Sequence, residues 1–369
     1  MMEDEDYLKM IQKLNEQQRP IFDDVVQCLY DQIENNPFYL YIGGNAGTGK
    51  SFLLQAMINA TKVRGKRSGG EVDKPACLIL APTGVAAYLI NGSTIESGLG
   101  IQPSKEKSYI KSDPSKNSKL RILFEDLLII FIDEISMVGS DMLVKMNFRL
   151  QDILGNDKFF GGVSVVCTGD FGQLPPVGQR MIWESSYLDN RLGICPNYWD
   201  EYFNIYFLTE KMRSQDQEYS IICDKVRKGL CDEDVTQYMS RHVRHCPSED
   251  LNEKYQSGEF CIIVTTNKSR NRINDAKLAK LLPSAESYFA VAVDKSTNKP
   301  NAPKIAQNIP LTRTGQLPTN VQFKVGAPVM ITSNSSNIKY KKNGIVNGTR
   351  GYVDSIQLDP NNQDLAEAV

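Results

Sequence analysis

Long apolar runs, paired cysteines and a charge of one sign are all missing from this 369-residue sequence. The apolar run Leu127 to Ile132 is far shorter than the roughly 20 residues a bilayer-spanning helix needs, so no membrane span is expected. Eight cysteines are scattered with no Cys-x-x-Cys pair, which argues against a disulfide scaffold and for reduced thiols inside a cell. His242-x-x-His245 likewise has no such pair to complete a zinc site. Lys and Arg number 42 against 44 Asp and Glu, leaving a net charge of −2, so any polyanion must be met by local patches. No repeat of solenoid period and no long low-complexity block occur. The start, Met1 to Asp6, is acidic and unlike a secretory or mitochondrial leader, so an intracellular protein, in the nucleus, is expected. The length implies two or three domains, and 41% hydrophobic with 23% charged residues is a soluble globular composition.

The most informative stretch is Phe38 to Met57: an apolar, aromatic run of strand length, a glycine-rich loop, then good helix formers. Gly44, Gly49, Lys50 and Ser51 fit the G-x-x-x-x-G-K-S spacing of a phosphate-binding loop, with Gly47 and Thr48 between them. Glycines let successive backbone N–H groups turn toward one anion, and the following helix adds its positive dipole end. In that chemistry Lys50 reaches the β- and γ-phosphates and the Ser51 hydroxyl holds Mg²⁺. Leu127 to Ile132 reads as a buried parallel strand ending in Asp133 and Glu134. There Asp133 suits the metal bridging the phosphates, and Glu134 suits a base acting on water.

Around these, Asn15 caps a helix with Ile21, Val25, Leu29 and Ile33 on one face. Thr61 to Gly70 reads as a basic connecting loop. Ala76 to Leu80 reads as a strand leading into the turn Ala81 to Ala87 at the ligand-facing edge of a doubly wound sheet. Residues 97–121 form a Gly/Ser/Pro/Lys-rich insertion in which six basic residues against two acidic leave a local +4, suited either to a phosphate backbone or to plain solvation. Further strands are expected at Val163 to Cys167, before the Gln173 loop, at Asn204 to Leu208, before Arg213, and at Cys261 to Asn267, before a helix. Arg213 is placed to stabilise γ-phosphate charge as an arginine finger does.

Taken together, Lys50 in its loop, Thr83 to Ala87, Asp133 to Met137, Gly169 to Val177 and Leu208 to Arg213 resemble the ordered motifs of superfamily one helicases, most of all the Pif-type branch related to RecD. The resemblance covers nearly the whole chain and implies two RecA-like α/β P-loop lobes, 1–208 complete and 209–369 partial, ending at the start of a small barrel insertion. It implies an ATP-dependent DNA helicase that uses ATP and Mg²⁺, translocates 5′-to-3′ on single-stranded DNA and opens duplex junctions, with roles in DNA repair, recombination and telomere maintenance. By the same resemblance Gln18 reads adenine, Gln173 senses the γ-phosphate, and Thr83, Gly84, Thr94, Thr265 and Asn267 touch DNA. Glu96 departs from the family's frequent His, and a carboxylate there repels a phosphate. A non-unwinding remnant of such a helicase, or a phosphotransferase using the same loop, are the alternatives; the Gln173 loop argues against the latter.

Overall fold

The structure is a computed structural model that describes residues 4–31, 36–67, 74–101, 114–186, 197–212, 216–242, 262–280, 286–291, 320–331, 345 and 349–356. It divides into two compact units, Met1–Arg241 and His242–Val369. The first unit runs on past Leu208 as far as Arg241. The reason is visible in the bonds Thr209 to Arg227 make with the first unit: the Met212 N–H donates to the Gly47 carbonyl at 2.8 Å, and Arg227 pairs with Asp170.

Among its described residues the first unit is built on six strands: β1 (Tyr39–Gly44), β2 (Cys77–Ala81), β3 (Ser93–Thr94), β4 (Ile129–Ile132), β5 (Ser164–Gly169) and β6 (Asn204–Leu208). They form one parallel sheet in the order β3-β2-β4-β5-β1-β6. Every residue of β1, β4 and β5 is buried, as continuous apolar strands covered on both faces should be. Among the described residues, ten helices connect and cover them: α1 (Asp4–Gln12), α2 (Gln18–Asp31), α3 (Lys50–Arg67), α4 (Gly84–Leu89), α5 (Ile95–Leu99), α6 (Pro114–Leu123), α7 (Ser140–Leu154), α8 (Tyr198–Tyr202), α9 (Gln217–Arg227) and α10 (Glu233–His242). Ile21, Val25 and Leu29 of α2 pack with Leu53, Leu54 and Met57 of α3 on one face of the sheet. Leu143, Met146 and Leu150 of α7 pack on the other. The basic segment after Thr61, expected as a loop, is helical to Arg67, because Thr61 is buried and its hydroxyl donates to the Met57 carbonyl one turn back.

Register places chemistry. Ile42 pairs with Thr168 and Gly43 with Gly169, while Ile132 pairs with Cys167. The next residue along each chain leaves the sheet at the same edge, so the phosphate loop, Asp133 and Asp170 sit at adjacent strand ends, where open α/β sheets bind ligands. The loop after β5 is held from below by rings: Phe171 meets Tyr41, Trp183 and Trp199 with centroids 4.9, 4.9 and 5.5 Å apart. Arg149 of α7 is fully buried and donates to the Leu99 carbonyl at 2.8 Å and to Asn117 at 2.5 Å, fixing α5 and α6 at either end of the basic insertion.

In the second unit, α11 (Asn267–Lys280) follows the expected helical run, and β7 (Tyr288–Val291) pairs with β8 (Asn320–Phe323). An antiparallel pair joins β9 (Pro328–Met330) to β10 (Arg350–Tyr352). The strand expected at Cys261 to Asn267 is not formed in its described part, where Ile262 and Ile263 are exposed and the chain turns into α11 through a Thr266 cap. Among the described residues no helix is long and apolar enough to cross a membrane.

Candidate nucleotide site

At the end of β1 the loop from Gly44 to Ser51 turns into α3, whose first residue is Lys50. Gly47 and Gly49 hold φ of 85° and 82°, in the left-handed region where a side chain is strained. The Lys50 ammonium donates to the Gly44 and Asn45 carbonyls at 2.7 and 3.0 Å. Burial pulls its pKa down, opposed by the carboxylates of Asp170, Glu134 and Asp133, with Arg227 adding to the depression. Lys50 thus stands in the field of charged side chains from three separate parts of the chain: Asp133 with Glu134, Asp170, and Arg227. Thr48 is buried and its hydroxyl donates to the Asn45 carbonyl at 2.9 Å, while Ser51 is exposed at the start of α3.

Asp133 is buried at the end of β4. Its Oδ1 accepts from the Thr168 hydroxyl at 2.6 Å and from the Glu134 N–H at 2.9 Å. Both bonds fall on one oxygen, and a carboxylate plus a hydroxyl such as Ser51 is a hard oxygen set suited to Mg²⁺. Glu134 stands at φ 54° as the strand breaks. Burial, then the neighbouring Asp133, raises its pKa above the usual carboxylate value, while Lys50 lowers it. Gln173 is exposed on the loop after β5. Its N–H donates to the Asp170 carbonyl at 2.8 Å and its side chain to the Asp170 carboxylate at 3.3 Å, so it is tied to the acid that faces Lys50.

Gln18 is 2% exposed, and its amide is spent on the loop rather than left open. Its Oε1 accepts from the Asn15 N–H at 3.2 Å and its Nε2 donates to the Thr48 and Gly49 carbonyls, both at 3.4 Å. Thr83 and Thr94 sit at the ends of β2 and β3 and cap α4 and α5, accepting from the Ala86 and Ser97 N–H groups at 3.3 Å each. Gly84 opens α4. Thr265 is exposed and Asn267 begins α11, both in the second unit. Arg213 lies outside the described residues, although Met212 before it is pinned to Gly47.

Sequence reasoning missed Asn45, Asp224 and Arg227. The Asn45 amide donates to Asp224 at 2.7 Å, its side-chain oxygen accepts from Arg227, and Asp224 also pairs with Lys211 at 2.8 Å. Asn45 falls inside the x positions of the loop motif, and Asp224 and Arg227 are two charges on an ordinary amphipathic helix, so spacing alone carried no signal for any of them.

A parallel sheet with this loop, this acid pair and this strand order defines a P-loop nucleotide-binding domain. The family model described as PIF1-like helicase matches residues 13–233, and the chain belongs to that family. It is 28% identical over 332 residues to the ATP-dependent DNA helicase PIF1 of Xenopus laevis, covering 88% of this chain and 45% of that protein. The Pif1 helicase structure from Candida albicans superposes with a TM-score of 0.62 at 25% identity, over 93% of this chain and 69% of that one. A Bacteroides Pif1 in complex with ADP-AlF3 and single-stranded DNA gives 0.57 at 23% identity, over 90% and 70%. The chain spans about half the length of the curated relatives it matches.

Proposed function

We propose that this chain is an ATP-driven DNA helicase that couples hydrolysis to movement on single-stranded DNA and to opening of duplex junctions. The observation that carries the reading is the convergence of Lys50, Asp133, Glu134 and the Asp170–Gln173 loop on neighbouring strand ends. Lys50 then exchanges its two carbonyl bonds for β- and γ-phosphate oxygens. Glu134, with its raised pKa, takes a proton from the attacking water. Gln173, bonded to Asp170, meets the γ-phosphate and passes its loss to the loop, and Arg213 supplies charge to the transferred group. Ser51 and Asp133 would hold Mg²⁺, which neutralises phosphate charge when bound.

Thr83, Gly84 and Thr94 at the sheet edge, with Thr265 and Asn267, are the proposed DNA contacts, the Bacteroides relative bound to single-stranded DNA supporting the ligand class. Family membership supports movement from 5′ to 3′ and work in DNA repair, recombination and telomere maintenance. ATPase and strand-displacement assays on the purified chain test the core of the proposal. ATP hydrolysis should rise several-fold with single-stranded DNA, vanish in Lys50→Ala and accompany unwinding of a tailed duplex. Hydrolysis indifferent to DNA defeats the motor reading, and DNA-stimulated hydrolysis without unwinding reduces it to a translocating or remnant ATPase.

A further inference from the structure

We propose that Arg227 is a positioning residue of the nucleotide site: its guanidinium engages the Asp170 carboxylate and keeps that carboxylate from capturing the ammonium of Lys50. This rests on reading the site as one for ATP. Arg227 is the last residue of α9, and its fork meets Asp170 twice, with NH2 to Oδ1 at 2.5 Å and NH1 to Oδ2 at 3.1 Å. The same NH1 bonds the side-chain oxygen of Asn45 in the phosphate loop. Asp170 is 4% exposed, so its charge is not diluted by water.

The loop after β5 is shaped for this guanidinium. A Cβ at Gly172 would stand 2.3 Å from the Arg227 Nε, so only a glycine lets the arginine lie against the backbone there. Asp170 in turn orients the loop, accepting from the Gly172 N–H at 2.9 Å and from the Gln173 side chain at 3.3 Å. Asp224, one turn before Arg227, holds the amide of Asn45 at 2.7 Å, so α9 grips the phosphate loop at a second point.

Lys50 stands in the field of Asp170, Glu134 and Asp133, with Arg227 opposing them. While Arg227 satisfies Asp170, the ammonium bonds, among the described residues, to the neutral carbonyls of Gly44 and Asn45. Neutral acceptors are readily exchanged for phosphate oxygens. A buried carboxylate bound to the same ammonium makes the stronger, charge-assisted bond and competes with the nucleotide. Removing Arg227 should therefore weaken nucleotide binding through Lys50, even though the two side chains need not touch.

The whole chain, Arg227→Gln, Arg227→Lys and the double variant Arg227→Gln/Asp170→Asn decide the matter by two measurements. The first is the rate at which an amine-reactive ester acylates Lys50, read by peptide mass spectrometry. The second is the Kd for a fluorescent ATP analogue. Capture of Lys50 by Asp170 predicts several-fold slower acylation and about tenfold weaker binding in Arg227→Gln, a change of about one unit in the log of Kd. Both should recover in the double variant relative to Arg227→Gln, and Arg227→Lys should lie between Arg227→Gln and the unsubstituted chain. Simple loosening of the loop predicts the opposite sign for acylation, because a freed amine reacts faster. Faster or unchanged acylation in Arg227→Gln, or no recovery in the double variant, overturns the proposal. Slower acylation in a chain that binds no nucleotide at all upholds the charge role and overturns the ATP reading instead.

Discussion

The N–H of Glu134 donates to the side-chain oxygen of Asp133 immediately before it, at 2.9 Å, and the backbone takes φ 54° to allow it. That turn aims two adjacent carboxylates in different directions from one strand end. Asp133 faces Thr168, and Glu134 stands half-buried in the field of Lys50 and Asp170.

Glu134→Gln should lower the rate of ATP hydrolysis by about 10² to 10⁴-fold, the usual reach of a general base, while leaving nucleotide affinity in place. It should also raise the melting temperature at neutral pH. A folded carboxylate with a raised pKa destabilises the fold wherever it is ionised, and that penalty fades as pH falls through the folded pKa and is gone below the unfolded value. The stability gap between Glu134→Gln and the unsubstituted chain should therefore close on acidification. A gap that widens toward low pH contradicts the raised pKa.

Gly49→Ala should destabilise the first unit by about 1–2 kcal/mol from the left-handed backbone alone. The new Cβ would also stand 2.3 Å from the Gln18 Nε2, displacing a buried side chain. Denaturant melts give the stability loss, and nucleotide titration should show a parallel loss of affinity. Stability equal to the unsubstituted chain refutes the conformation assigned to Gly49.

Gln18→Ala separates two roles for a side chain that is buried and bonded to the Thr48 and Gly49 carbonyls. If it braces the phosphate loop, KM for ATP and for GTP should rise together by roughly tenfold, the effect of about 1.4 kcal/mol. A loss confined to ATP assigns it to the adenine instead.

Thr83→Ala should cost about 1 kcal/mol of stability by removing the α4 cap. Thr83→Asp keeps a capping oxygen and adds a negative charge at the helix start, so stability should hold. On the proposed DNA contact its affinity for single-stranded DNA should nevertheless fall, most steeply at low salt, because the new charge would repel a phosphate. Unchanged DNA affinity in Thr83→Asp removes this residue from the DNA-contacting set.

The elements that were legible in the sequence are those whose signal is local. The loop from Gly44 to Ser51 announces itself by spacing, β4 by a continuous apolar run ended by two acids, and β6 falls at Asn204–Leu208 as the pattern predicts. Long-range partners were not legible. Asn45 and Arg227 are 182 residues apart, and no periodicity links them. Met212, Asp224 and Arg227 likewise meet the phosphate loop through bonds that only the folded chain brings together. The Thr61 to Arg67 segment carries glycine and many charges, yet the buried anchor at Thr61 keeps it helical.

The rings beneath the Gln173 loop make the protein its own optical reporter. Both indoles of the chain, Trp183 and Trp199, stand edge-on to Phe171, two positions before Gln173. Tryptophan emission, excited selectively over that of the 16 tyrosines, therefore originates from the platform on which that glutamine rests. Any nucleotide that shifts the loop writes its arrival into the spectrum without a dye or a label.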